Sequence, residues 1–76
     1  MQESEEKIVS ESFSAVMPYL VYPNDLRKLV DRLSEESSNL QEFQARLEKI
    51  ISAEEDSTHK TDKQIFLNEL RKHIKP

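Results

Sequence analysis

The sequence predicts an all-α fold, a compact four- to five-helix bundle, from three observations. The 76 residues include no glycine and only three prolines, whereas sheets and tight turns need residues that tolerate positive φ. Glu, Lys, Leu, Gln and Arg, which favour helices, are abundant. Apolar residues recur at intervals of three and four, the spacing of one helix face. A chain this short forms a single domain with a thin core.

The N-terminal part of the chain predicts a tail and one interrupted helix. Residues 1–7 are polar and acidic, and we expect a flexible tail ahead of a helical domain over residues 8–76. The first helix is predicted over 8–21, kinked or split at Pro18, because an internal proline removes a hydrogen bond and clashes with a preceding carbonyl. Pro23 disfavours helical backbone at the residue before it and ends this unit.

Three further helices are predicted over residues 25–34, 39–52 and 62–75, each from an apolar stripe. The polar stretch 52–60 is predicted to be a mobile acidic loop. The expected capping residues are Asn24 or Asp25 for the second helix, Ser38 or Asn39 for the third, and Thr61 for the last. The residues expected in the core are Phe13, Leu29, Val30, Leu33, Phe43, Leu47, Phe66 and Leu70.

Charge and hydropathy exclude several classes of function. The net charge is −4, which argues against nucleic acid as the main ligand. Cations are concentrated after residue 59, so an acidic partner is attracted locally at that end. No apolar run is long enough to span a membrane, and the acidic N-terminus is unlike a secretory signal. We expect an intracellular protein, with nucleus and cytoplasm left open, and the sequence equally leaves open whether the chain is a whole protein or an excised domain.

The sequence offers no set of residues typical of catalysis or metal binding. It has no cysteine, and His59 and His73 lack the spacing of a helical zinc pair. The carboxylates cluster in the tail and in loops, where water screens them, rather than in differing desolvated environments. We therefore expect no catalytic residue, no cofactor and no metal, and hence no enzyme.

Residues left over from the apolar stripes are the candidates for partner binding. The residues beside the stripes are Ile8, Tyr19, Val21, Tyr22 and Ile65. They are either scattered surface residues or, if they converge, an exposed docking patch. A groove of this kind suits a short amphipathic, helix-forming segment of another protein. Basic residues either are ordinary solvated side chains or form a rim that selects an acidic segment. They are Arg27, Lys28, Arg32, Arg71, Lys72 and Lys75.

Part of the spacing resembles the αα-hub group of domains. Leu29-Val30, Leu33, Glu42-Phe43, Leu47 and Ile51 resemble a run in TAFH domains. The ending from Phe66 to Pro76 is similar to the last helix of harmonin-homology domains. Both families are grouped with the paired amphipathic helix domains. The resemblance implies a central αα-hairpin and the docking of helix-forming segments of transcription regulators or scaffold proteins.

A second set of residues is similar to caspase-recruitment domains, which have the death fold. It comprises Val16 to Leu20, Asp25-Leu26-Arg27 and Phe66 to Arg71. This resemblance implies a death-fold module. Self-association in signalling, as a death-fold module or as a homodimer, is the alternative to a module that docks another protein.

Overall fold

The computed structural model describes residues 1–74 and contains four α-helices, named α1 to α4, and one short 3-10 helix. The bounds are Glu3–Val16 for α1, Met17–Tyr19 for the 3-10 helix, Pro23–Glu36 for α2, Leu40–Ala53 for α3 and Ser57–His73 for α4. Residues 1–74 include no strand. The predicted all-α helical bundle is therefore confirmed.

Helix α4 contacts all three other α-helices, and its most extensive contact is with α1. Phe66 of α4 meets Phe13 of α1 and Phe43 of α3 edge to face, with ring centroids 6.2 Å apart in both pairs. This geometry is favourable for aromatic pairs beyond the apolar area that they bury. The buried apolar residues are Val9, Phe13, Val16, Leu20, Leu26, Val30, Leu33, Leu40, Phe43, Leu47, Ile51, Phe66, Leu67 and Leu70. Of the predicted core residues, Leu29 alone is not in this set; it is half-buried against its edge.

The expectation of a flexible tail over residues 1–7 is wrong, because α1 begins at Glu3. One carboxyl oxygen of Glu5 accepts a hydrogen bond from the backbone N–H of Gln2 at 3.2 Å, which satisfies the start of α1. The other accepts from the backbone N–H of Leu40 at 3.0 Å, which ties α1 to the start of α3. The Met1 side chain also packs against the core. Contacts with residues far along the chain thus order this acidic segment.

Replacing Glu5 with glutamine is expected to weaken the acid dependence of stability. The N–H groups of Leu40 and Gln2 hold the pKa of the Glu5 carboxyl below its usual value. A carboxyl group whose pKa is lower in the folded state stabilises the fold at pH values above its unfolded-state pKa of about 4.3. This stabilisation is lost as the pH falls through the lower folded-state pKa. We expect Glu5→Gln to be less stable than the natural chain near neutral pH and the difference to shrink in acid.

Urea unfolding followed by circular dichroism at several pH values measures this dependence. Glu3→Gln, the same substitution at an exposed position of the same helix turn, is the control. Equal pH dependence for Glu5→Gln and the natural chain would contradict the role given to Glu5.

Proline positions separate α1 from α2. The helix α1 ends at Val16 and a 3-10 helix follows, so the predicted interruption at Pro18 takes the form of a split. Pro23 is the first residue of α2, where a missing N–H costs nothing and the fixed φ suits the helix. The predicted caps Asn24 and Asp25 are wrong, since both residues lie inside the helix.

The boundaries of α3 and α4 differ in how closely they match the prediction. Asn39 caps α3 by accepting from the backbone N–H of Glu42 at 2.8 Å, as expected. Asp56 caps α4 by accepting from the backbone N–H of His59 at 2.8 Å, so α4 begins at Ser57. The predicted cap Thr61 lies inside the helix, and only Glu54–Asp56 remain of the predicted loop 52–60. The predicted end of the last helix at Lys75 lies outside the described residues.

Candidate docking surface

Four exposed hydrophobic side chains follow one another between α1 and α2. Met17, Tyr19, Val21 and Tyr22, named here the apolar segment, are 47%, 72%, 62% and 43% exposed. Among residues 1–74, the other large hydrophobic side chains are buried or half-buried. Scattered exposed apolar residues carry no meaning, but a concentration of them marks an interaction surface.

A buried carboxylate of α4 holds the apolar segment in place. Asp62 is only 2% exposed, and each of its oxygens accepts one backbone hydrogen bond. Oδ1 accepts from the N–H of Val21 at 3.1 Å and Oδ2 from the N–H of Tyr22 at 2.7 Å. Leu20, between the exposed residues, points into the core. The segment is therefore attached to the bundle through its backbone and the Leu20 side chain, while the four hydrophobic side chains beside Leu20 remain exposed.

The Tyr22 ring also lies against α4. It stacks on the ring of His59 with centroids 4.3 Å apart and the planes 18° from parallel. His59 lies in the first turn of α4 because Asp56 caps that helix. The early start of α4 therefore places His59 against the apolar segment.

An apolar cleft of about 290 Å³ lies between the apolar segment and α4. Tyr19 and Val21 form one side and Ile65 the other, with hydroxyl groups of α4 at the edge. Its lining residues are Tyr19, Val21, Ser57, Thr58, Thr61, Asp62 and Ile65. Three of the predicted partner-binding residues, Tyr19, Val21 and Ile65, are thus brought together.

A second cleft of about 350 Å³, named here the charged cleft, lies among α2, the end of α3 and the start of α4. An ion pair forms part of its wall, with Lys63 Nζ 2.6 Å from Glu54 Oε1. The hydrogen bond from Lys63 holds the pKa of the Glu54 carboxyl below its usual value. The cleft is lined by Tyr22, Asp25, Leu26, Lys28, Leu29, Arg32, Ile50, Glu54, His59, Asp62 and Lys63.

The predicted basic residues do not form one rim. Lys28 lines the charged cleft, whereas Arg27 lines a separate cleft of about 690 Å³ between α1 and α2. Arg71 is paired with Glu48 of α3 at 2.6 Å, and Lys72 with Glu69 at 3.6 Å. Neither lines any of these three clefts. The helix positions of Arg71 and Lys72, near the far end of α4, separate them from the apolar segment, and Lys75 lies outside the described residues.

The sequence-based prediction missed two residues that shape the surface, Asp62 and His59. Asp62 stands four residues before Phe66 and eight before Leu70, so it lies on the apolar stripe of α4. A charged residue on an apolar stripe is a signal of a buried hydrogen-bonding role. His59 had no such signal, because its position depends on the start of α4.

Neither a metal-binding cluster nor a membrane-spanning helix is found in the described part of the chain. Residues 1–74 contain no group of three or more His, Cys, Asp or Glu side chains placed to hold a metal ion. None of the described helices is long and apolar enough to cross a membrane.

Comparison with known proteins identifies a family at the level of sequence. A search of curated proteins and a search of solved structures both give no match. A family model matches residues 5–75, which include all four helices except the first two residues of α1. The chain belongs to the MJ1579 family.

Proposed function

We propose that this protein is a non-catalytic protein-binding module, and that the apolar segment docks a helix-forming segment of a partner. The single observation that carries the proposal is the concentration of exposed hydrophobic side chains in residues 17–22. A thin domain would gain stability by burying these side chains. Their exposure is instead typical of a surface that another molecule covers.

The attachment of the apolar segment to the bundle favours binding. Asp62 and Leu20 restrain its backbone before a partner arrives, so less conformational freedom is lost on association. Tyrosine is enriched among the residues that dominate binding energy, and Tyr19 is the most exposed large hydrophobic residue described. Ile65 supplies the opposite wall of the apolar cleft. The resemblance to αα-hub domains supports the same class of function.

The double variant Tyr19→Ala/Val21→Ala is expected to weaken binding at least tenfold, or about 1.4 kcal/mol. It removes both side chains from one wall of the apolar cleft while leaving the backbone N–H of Val21 on Asp62. The probe is a synthetic amphipathic helical peptide with leucine at intervals of three and four, and isothermal titration calorimetry measures the affinity.

Arg46→Ala/Lys49→Ala is the matched control, because both residues are exposed on α3 and line none of the three clefts. We expect this variant to bind like the natural chain. Equal affinity of the two double variants would exclude the apolar segment as the docking surface.

Self-association through the same segment is the competing function. Light scattering over a range of concentrations separates the two. A monomer supports docking of a different protein. A dimer that Tyr19→Ala/Val21→Ala dissociates would assign the apolar segment to self-association instead.

A further inference from the structure

We infer that the partner segment is acidic, with apolar side chains that enter the apolar cleft and carboxylates that face Lys28 and Arg32 in the charged cleft. This inference rests on the proposed function and names the chemistry of the partner. Three features of the structure support it: the two clefts share a lining residue, the exposed cations of the charged cleft are unpaired, and those cations lie at one end only.

The two clefts share a wall. Asp62 lines both of them, and the consecutive residues Val21 and Tyr22 line one cleft each. The Asp62 side chain binds the backbone of both residues. A single segment lying across Tyr22 therefore reaches both clefts at once.

The lining of the charged cleft contains three acidic and three basic side chains, but the two signs differ in burial and pairing. Lys63 and Glu54 neutralise each other in their 2.6 Å pair. The Asp62 oxygens are buried and used by the backbone of the apolar segment. Lys28 and Arg32 are both exposed and form no ion pair with any described residue. The remaining carboxylate of the lining is Asp25, so the exposed and unpaired side chains comprise two cations and one anion. His59, which also lines this cleft, stacks on Tyr22 and adds no negative charge.

The apolar cleft has no comparable charge. Apart from Asp62, its lining residues are hydrophobic or carry hydroxyl groups. The positive charge is thus confined to the α2 side of the combined surface, with Lys28 and Arg32 one helix turn apart on one face. This distribution favours one orientation of the partner, with its carboxylates over α2 and its apolar side chains over the 3-10 helix.

The net charge of the protein makes the inference easy to test. A chain with net charge −4 attracts a basic peptide at long range and repels an acidic one. Preference for an acidic peptide would therefore report the local field of Lys28 and Arg32 rather than the overall charge.

The experiment compares two synthetic helical peptides with identical leucine positions, one with glutamate and one with lysine on the polar face. Titration calorimetry is performed at low and high salt with the natural chain, Lys28→Glu/Arg32→Glu and the control Arg46→Glu/Lys49→Glu. The two double variants change the net charge equally. We expect the natural chain and the control to prefer the acidic peptide at least tenfold at low salt, less so at high salt, and Lys28→Glu/Arg32→Glu to lose that preference.

The outcomes separate this inference from the proposed function. If both peptides bind equally and Tyr19→Ala/Val21→Ala weakens both, the docking surface stands and the acidic partner is wrong. Preference for the lysine peptide, or an equal loss in both charge-reversal variants, likewise overturns the acidic partner. Binding of neither peptide overturns both proposals.

Discussion

Replacing Phe66 with alanine is expected to lower the free energy of unfolding by about 3–5 kcal/mol, the usual cost of truncating a fully buried aromatic residue. Phe66 is completely buried and joins Phe13 of α1 to Phe43 of α3. The loss includes burial of the ring, two edge-to-face contacts and the cavity that remains. A domain of this length is stable by about 4–11 kcal/mol, so Phe66→Ala removes much of the total.

Urea unfolding followed by circular dichroism measures the loss. Asn68→Ala, an exposed position of the same helix, is the control and is expected to change stability by less than about 0.5 kcal/mol. A loss below about 1 kcal/mol for Phe66→Ala would contradict its place at the centre of the core.

Replacing Asp62 with alanine is expected to lower the free energy of unfolding by about 2–6 kcal/mol. The substitution leaves the part-buried backbone N–H groups of Val21 and Tyr22 without their acceptor, and the loss of each such hydrogen bond costs about 1–3 kcal/mol. Water that reaches these two groups brings the loss toward the lower end of the range.

Asp62→Asn separates the hydrogen bonds from the packing of this side chain. Asparagine keeps the size of aspartate but has one acceptor oxygen. We therefore expect Asp62→Asn to lower the free energy of unfolding by less than Asp62→Ala does. Thr61→Ala, at the neighbouring exposed position, is the control. Amide hydrogen exchange gives a local measurement: the N–H groups of Val21 and Tyr22 are expected to exchange faster in Asp62→Ala. Unchanged exchange at both would contradict the contact, whatever the change in stability.

The apolar pattern predicted the start of a helix accurately where the capping residue directly precedes the apolar stripe. Asn39 both precedes the apolar stripe of α3 and caps it, so the predicted and observed starts agree closely. The starts of α1 and α4 were predicted too late, because polar residues continue each helix beyond its apolar stripe. In α1 the stabilising partner of Glu5 is Leu40, which is 35 residues away. In α4 the cap Asp56 was one of several adjacent acidic residues that the sequence could not rank.

The candidate site was predicted in part. Tyr19, Val21, Tyr22 and Ile65 were selected because they lie beside the apolar stripes. The structure brings three of them to the apolar cleft and the fourth, Tyr22, to the neighbouring charged cleft. The basic residues were selected by charge alone. The charge of a side chain does not show which way it points from a helix. Arg71 and Lys72 were therefore predicted to lie beside the apolar segment, although they pair with carboxylates elsewhere.

By itself, the sequence determined the fold class and most of the core and limited the number of helices to four or five, because helical spacing of apolar residues and the absence of glycine act locally along the chain. Only the tertiary structure decided that acidic residues 3–7 are helical and that Asp62 holds the apolar segment. It alone decided which exposed side chains share a cleft. These outcomes depend on hydrogen bonds between residues 35 to 41 positions apart. Which distant residues meet is determined by how the helices pack and not by the sequence around either residue.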